Sequence, residues 1–179
     1  MYLKVKENVP LIPKEDLKAM ELAAKAGDVE MQMRLADVYL SGEGAKPDLS
    51  KCIYYLKKAA GHGNSYAIYC LSDFAFDKET RIKLITEAME KGCIEAKYDL
   101  ALRYSEGDEV EKNYKYAFEL FHELANSGNI DPMLEVAQCY ENGCGIDRDI
   151  FLAIEWYKKA ATQGCERAIM NLERIGASV

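Results

Sequence analysis

The amino-acid sequence predicts an all-α protein of about ten helices, stacked as successive antiparallel pairs. Three features of the 179 residues predict it. Glycines that close Ala-rich segments stand at Gly27, Gly63, Gly92, Gly128 and Gly164, at intervals of 36, 29, 36 and 36 residues, and such a period marks an array of small supersecondary units. A large apolar residue followed by a small one recurs eight and nine positions past four of these glycines, as Leu35-Ala36, Leu71-Ser72, Leu100-Ala101 and Val136-Ala137. Tyr39, Tyr104 and Tyr140 stand twelve positions past a glycine, and Gly42, Gly107 and Gly143 stand three further on.

Each element follows in order. Residues 1–12 are expected as an extended arm, because Pro10 and the Pro13 that follows oppose helix. Residues 13–27 carry Ala19, Met20 and Ala23-Ala24 in the places of a second helix and so predict a lone N-terminal capping helix. Four repeats are expected over 28–63, 64–92, 93–128 and 129–164. Within a repeat, offsets 4, 8 and 12 put residues such as Ala96, Leu100 and Tyr104 on one buried stripe of the first helix. Gly42, Gly107 and Gly143 suit the left-handed residue that ends that helix, and Asp48, Asn113 and Asp149 suit the cap of the next. Tyr55, Leu120 and Trp156 then fill matching places in the second helix, ahead of Ala59-Ala60, Leu124-Ala125 and Ala160-Ala161.

Two repeats depart from the pattern. The second, 64–92, is seven residues short, has Ala75 at the tyrosine position and lacks the glycine loop, so its helices are expected to be shortened around 77–80. The third has Glu109 at the second loop glycine, where a different loop conformation is expected. Residues 165–179 match only a first helix and predict a C-terminal capping helix and tail, with Glu166, Arg167, Asn171, Glu173 and Arg174 to solvate its outer side.

Composition excludes several functions. A net charge of −7 opposes a nucleic-acid-binding surface spread over the molecule. Apolar runs such as 66–71 fall far short of the roughly 20 residues that cross a bilayer. The first residues mix Lys4, Lys6 and Glu7 with short apolar stretches, unlike a signal peptide, so a cytoplasmic location is expected.

The loop Y-x-x-G-x-G, then Asp, then an aromatic pair, then K-K-A-A-x-x-G is carried by LADVYLSGEGAKPDLSKCIYYLKKAAGHG from Leu35 and by LEVAQCYENGCGIDRDIFLAIEWYKKAATQG from Leu134. These stretches resemble the Sel-one-like repeat (SLR), an α/α branch of the tetratricopeptide superfamily, and the resemblance covers about residues 17–175. It implies a right-handed superhelix whose first helices line a concave face, used as a protein-interaction scaffold. It further implies that offsets 3, 6, 10, 13 and 14 from each spacing glycine line the groove that faces the partner. The groove candidates are Met33, Asp37 and Leu40 in the first repeat, and Tyr66, Tyr69, Asp73 and Phe76 in the second. Glu95, Tyr98 and Leu102 follow in the third, with Leu134 and Gln138 in the fourth. Tyr and Phe supply large contact area at little entropic cost, while the carboxylates would orient a Lys or Arg.

Other chemistry finds little support in the residues. A secreted branch of the family pairs cysteines eight residues apart, at places that here hold Ala60 and Ile68, Ala125 and Met133, Ala161 and Ile169. Cys52, Cys70, Cys93, Cys139, Cys144 and Cys165 are therefore expected as thiols, and Cys139 with Cys144 lacks the second ligand pair of a zinc site. His62 and His122 accompany no nucleophile motif. The expected function is a non-catalytic adaptor that binds a protein or peptide bearing basic and apolar residues, with no cofactor, metal, nucleic acid or membrane insertion. The alternatives are a hydrolase of cell-wall or β-lactam type, an interaction module of a larger signalling or secretion protein, and self-association through exposed apolar residues.

Overall fold

Helix caps and turn closures recur at fixed places along the chain, and they position everything else. The computed structural model describes residues 12–177. The expected extended arm lies outside the described residues except for Ile12, whose N–H donates to the carbonyl of Gly44 at 2.6 Å. Among the described residues all regular structure is α-helical: α1 Lys14–Lys25, α2 Val29–Ser41, α3 Leu49–Gly61, α4 Ser65–Ser72, α5 Lys78–Glu90, α6 Ile94–Glu106, α7 Tyr114–Asn126, α8 Ile130–Asn142, α9 Ile150–Thr162 and α10 Glu166–Arg174. The chain divides into two units, one ending at Cys93 and the other beginning at Ile94. In the first, α1 to α5 each pack on the next helix in sequence; in the second, α6 to α10 do the same.

Two turns alternate. Between a second helix and the next first helix, the residue after the spacing glycine donates back five positions: Asn64 to Ala59 at 3.1 Å, Cys93 to Ala88 at 3.0 Å and Cys165 to Ala160 at 3.1 Å. This closure needs a left-handed residue, and Gly63, Gly92 and Gly164 supply it at φ 86°, 87° and 88°. Within a full repeat, the longer loop is tied by the N–H of Asp48, Asn113 or Asp149, which donates to the carbonyl of Tyr39, Tyr104 or Tyr140 at 2.8–2.9 Å. The same three side chains then cap the following helix, accepting from Lys51, Tyr116 and Leu152 N–H groups.

The core is built by layers. Tyr39, Leu35 and Ala36 of α2 bury against Tyr55, Leu56 and Ala59 of α3, and the Tyr39 and Tyr55 rings stack at 6.0 Å. The Tyr39 hydroxyl donates to Glu21 at 2.8 Å, so the buried ring keeps a partner. In the second unit, Leu100, Leu134, Val136, Tyr157 and Leu172 are almost wholly buried.

Both departures in the sequence take forms different from those expected. In the second repeat only the first helix shrinks: α4 has 8 residues, whereas α5 keeps 13. The lost residues come from the end of α4 and its loop, and Asp77 caps α5 by accepting from Thr80 N–H at 2.7 Å. Glu109 keeps the left-handed conformation of the glycine it replaces, at φ 60° beside 108° for Gly44 and 78° for Gly145. A side chain there costs roughly 1–2 kcal/mol. The Glu109 carboxylate meets Arg103 at 2.6 Å, with both side chains less than one-fifth exposed, and this partly buried ion pair offsets the strain.

Candidate functional site

In the first unit, the candidates on α2 are Asp37, exposed, and Met33 and Leu40, half-buried. On α4, Tyr66 is 46% exposed, and its ring lies 6.2 Å from that of the half-buried Tyr69, at a tilt of 47°. Asp73 follows at the end of α4. Burial first, with the Asp73 charge second, pushes the neighbouring Cys70 thiol up to about 11, so it holds its proton at neutral pH. Phe76 is fully exposed, but it stands in the connection between α4 and α5 rather than on a first helix, because α4 stops at Ser72. The expected place of Phe76 on a helical stripe is therefore corrected.

In the second unit the candidates divide. Glu95 on α6 is exposed, while Leu102 on α6 and Gln138 on α8 are half-buried. Leu134 is fully buried and is a core residue, not a partner-facing one. Its position borders the stripe of Val136 and Ala137, and a compact aliphatic side chain there is wholly covered.

Tyr98 is half-buried, with its ring edge-on to Phe121 at 5.8 Å. Its hydroxyl hydrogen-bonds to Glu135. Burial, then the charges of Glu135 and Asp131, push the Tyr98 hydroxyl up to about 12. Burial likewise raises the Glu135 carboxyl above its ordinary value, while the Arg167 charge and the Tyr98 hydrogen bond pull it back. Glu135 was not among the expected groove residues. It lies one position past Leu134, and no spacing rule marks it, since its role arises from Tyr98 on one helix and Arg167 on another.

These residues shape two clefts. One, of about 470 Å³, is walled by Ile94, Tyr98, Ile130 and Pro132, with the carboxylates of Glu95 and Asp131 in its lining. A smaller one, of about 170 Å³, takes in Ser105, Phe121, Glu135, Gln138, Cys139 and Cys144. The larger offers apolar contact beside negative charge, a combination suited to the side chain of Lys or Arg with its methylene stem. Among the described residues, no group of three or more His, Cys, Asp or Glu is placed to hold a metal ion. None of the six cysteines is joined in a disulfide. No helix among the described residues is long and apolar enough to cross a membrane.

Repeated helix pairs, glycine-closed turns and half-exposed first-helix faces define an α/α solenoid built from short repeats. The family model described as Sel1 repeat matches residues 29–64, 94–129 and 133–165, and the chain belongs to that family. The span of the shortened α4 repeat lies between the first two matches.

Among similar proteins, "Chitin synthase regulator SKT5" of Saccharomyces cerevisiae is 30% identical over 89% of this chain and 25% of its own length. "Chitin synthase regulatory factor 3" of Schizosaccharomyces pombe is 30% identical over 87% of this chain and 18% of its own. The chain thus spans a quarter or less of these two relatives. Solved structures agree on the SLR fold. A Sel1 repeat protein from Oxalobacter formigenes superposes with TM-score 0.82 at 27% identity, covering 90% of this chain and 49% of that one. A protective antigen of uropathogenic Escherichia coli strains, described as displaying an SLR fold, gives TM-score 0.82 at 25% identity, covering 91% of this chain and 37% of that one.

Proposed function

We propose that this protein is a non-catalytic interaction module that binds a peptide or protein segment bearing basic and apolar residues. The observation that carries this reading is the cleft of about 470 Å³ in the second unit, where Glu95 and Asp131 stand beside the apolar walls of Ile94, Tyr98 and Pro132. Tyr66 and Tyr69 with Asp73 on the first unit offer a second patch of the same character, aromatic surface beside a carboxylate. Aromatic residues anchor interfaces, and charges beside them select the partner and speed its approach. Relatives named as regulators of chitin synthase support a regulatory role carried out through protein contacts.

Affinity for a short segment is expected to be roughly micromolar, because few anchors are filled and ordering the peptide costs entropy. The test is fluorescence anisotropy with labelled 12-residue peptides of mixed Lys, Arg, Leu and Phe, against acidic peptides of the same length. Binding of the basic peptides, weakened by added salt and lost in Glu95→Lys plus Asp131→Lys, is the expected outcome. The double variant Tyr66→Ala plus Tyr98→Ala should keep helical circular dichroism and lose affinity. Equal binding of basic and acidic peptides, or full affinity in both double variants, would overturn the reading.

A further inference from the structure

The end of α8 brings two thiols to one turn. Asn142 is the last helical residue, Gly143 follows in the left-handed region at φ 74°, and the N–H groups of Gly143 and Cys144 both donate to the carbonyl of Cys139, at 2.8 and 3.0 Å. A six-to-one hydrogen bond across a left-handed residue is the Schellman closure, and it sets the side chains of its first and sixth residues against each other. The turn one repeat earlier displays this contact directly. There the N–H groups of Gly107 and Asp108 donate to the carbonyl of Arg103 at 2.8 and 3.0 Å, and the Arg103 and Asp108 side chains meet at 3.1 Å. Thirty-six residues further on, Cys139 and Cys144 occupy those two positions.

Packing alone does not require sulfur there, since the equivalent pair is ionic. Both cysteines are partly exposed, and both line the cleft of about 170 Å³ beside Glu135 and Gln138. A reagent that enters this cleft meets two thiols on one short turn, where closing a bridge costs almost no chain entropy.

We propose that Cys139 and Cys144 form a dithiol site that exchanges with low-molecular-weight disulfides of the glutathione type and closes to an intramolecular disulfide. Cys144 leads as its thiolate, attacks one sulfur of glutathione disulfide and expels glutathione thiolate, leaving a mixed disulfide on Cys144. Cys139 then loses its proton through solvent to the expelled thiolate, and its sulfur attacks the Cys144 sulfur. The bond from Cys144 to glutathione breaks, and the second glutathione leaves as thiolate and takes up the proton that Cys144 had released to solvent. The dithiol is oxidised by two electrons and one glutathione disulfide is reduced to two thiols. The order of attack follows from burial, which pushes the Cys139 thiol up to about 12 and keeps it protonated until its partner is modified. Closure ties the last turn of α8 to the loop that holds Gly145 against the Tyr114 carbonyl at the start of α7.

The test equilibrates the folded full chain in glutathione buffers from reducing to oxidising, quenches with acid, blocks free thiols with N-ethylmaleimide and digests with trypsin. Tryptic peptide 116–148 contains Cys139 and Cys144 and no other cysteine. The expected wild-type product at oxidising poise is this peptide lighter by two hydrogens and carrying no maleimide, restored by dithiothreitol. Cys139→Ser should instead retain glutathione on Cys144. Two maleimides on the wild-type peptide across the whole glutathione range would overturn the proposal. So would a glutathione adduct on Cys144 that persists in the wild type.

Discussion

Trp156 offers the sharpest test of how the layers hold together. It is 7% exposed, its indole lies edge-on to His122 with centroids 5.7 Å apart, and the Lys159 ammonium sits 3.9 Å from its ring centroid. Trp156→Ala removes on the order of 200 Å² of buried surface, which at about 25 cal/mol per Å² gives an upper figure of ~5 kcal/mol. Partial collapse of the cavity lowers the loss, and the lost cation–π contact adds roughly 0.5–1 kcal/mol, so the expected cost is about 3–5 kcal/mol. Against the 5–15 kcal/mol typical of a folded domain, such a loss is plain in a urea titration. Trp156 is the only tryptophan, so the titration is followed by far-ultraviolet circular dichroism rather than fluorescence. Because repeats depend mostly on their neighbours, hydrogen exchange should quicken in α7 and α9 and stay unchanged in α2 and α3. A loss below about 1.5 kcal/mol would refute the layered packing assigned to Trp156.

Three further outcomes are expected. Gly145→Ala should cost clearly more than Gly164→Ala, by thermal melting: both glycines have positive φ, worth about 1–2 kcal/mol for a side chain, but only at Gly145 does the new methyl strike a backbone, that of Tyr114, while Gly164 faces open space. Leu134→Ala should lower stability by about 2–5 kcal/mol in the same measurement, the signature of a core residue rather than a contact residue. The third concerns Glu141, which accepts from Arg174 at 2.6 Å and Tyr157 at 2.7 Å. Burial alone would raise its carboxyl, but these hydrogen bonds and the Arg174 charge hold it below its ordinary value. A lowered folded pKa stabilises above the ordinary carboxylate range, and that contribution is lost as pH falls through the folded value. Protection factors of α10 amides, exchange rates normalised to the intrinsic rate at each pH, should therefore fall on acidification in the wild type, and the Glu141→Gln variant should lose this pH dependence and show lower protection at neutral pH.

What the sequence made legible was whatever the backbone enforces locally. The glycine period, the caps at Asp48, Asn113 and Asp149, and the burial of Tyr55, Leu120 and Trp156 follow from turn chemistry and from a repeat that puts like residues in like surroundings. Legibility fails where one position must be compared with its neighbours in space. Met33, Tyr69, Tyr98 and Leu134 share one offset, yet the first three are half-buried and Leu134 is sealed, because the covering side chains come from other helices and differ from repeat to repeat. The same cause hid Glu135, whose pairing with Tyr98 and attraction to Arg167 join residues 37 and 32 positions away. Glu109 shows the converse, in which local preference is overruled. Read alone, a glutamate at a left-handed position predicts a changed loop, but Arg103 six residues earlier holds its carboxylate and the conformation survives. Spacing thus specifies which faces meet, whereas the charge and exposure of each face depend on contacts between helices. Under the function proposed above, selection of a partner for the second unit falls to Glu95, Asp131 and the half-covered Tyr98 together, and the repeat pattern by itself carries no information on that choice.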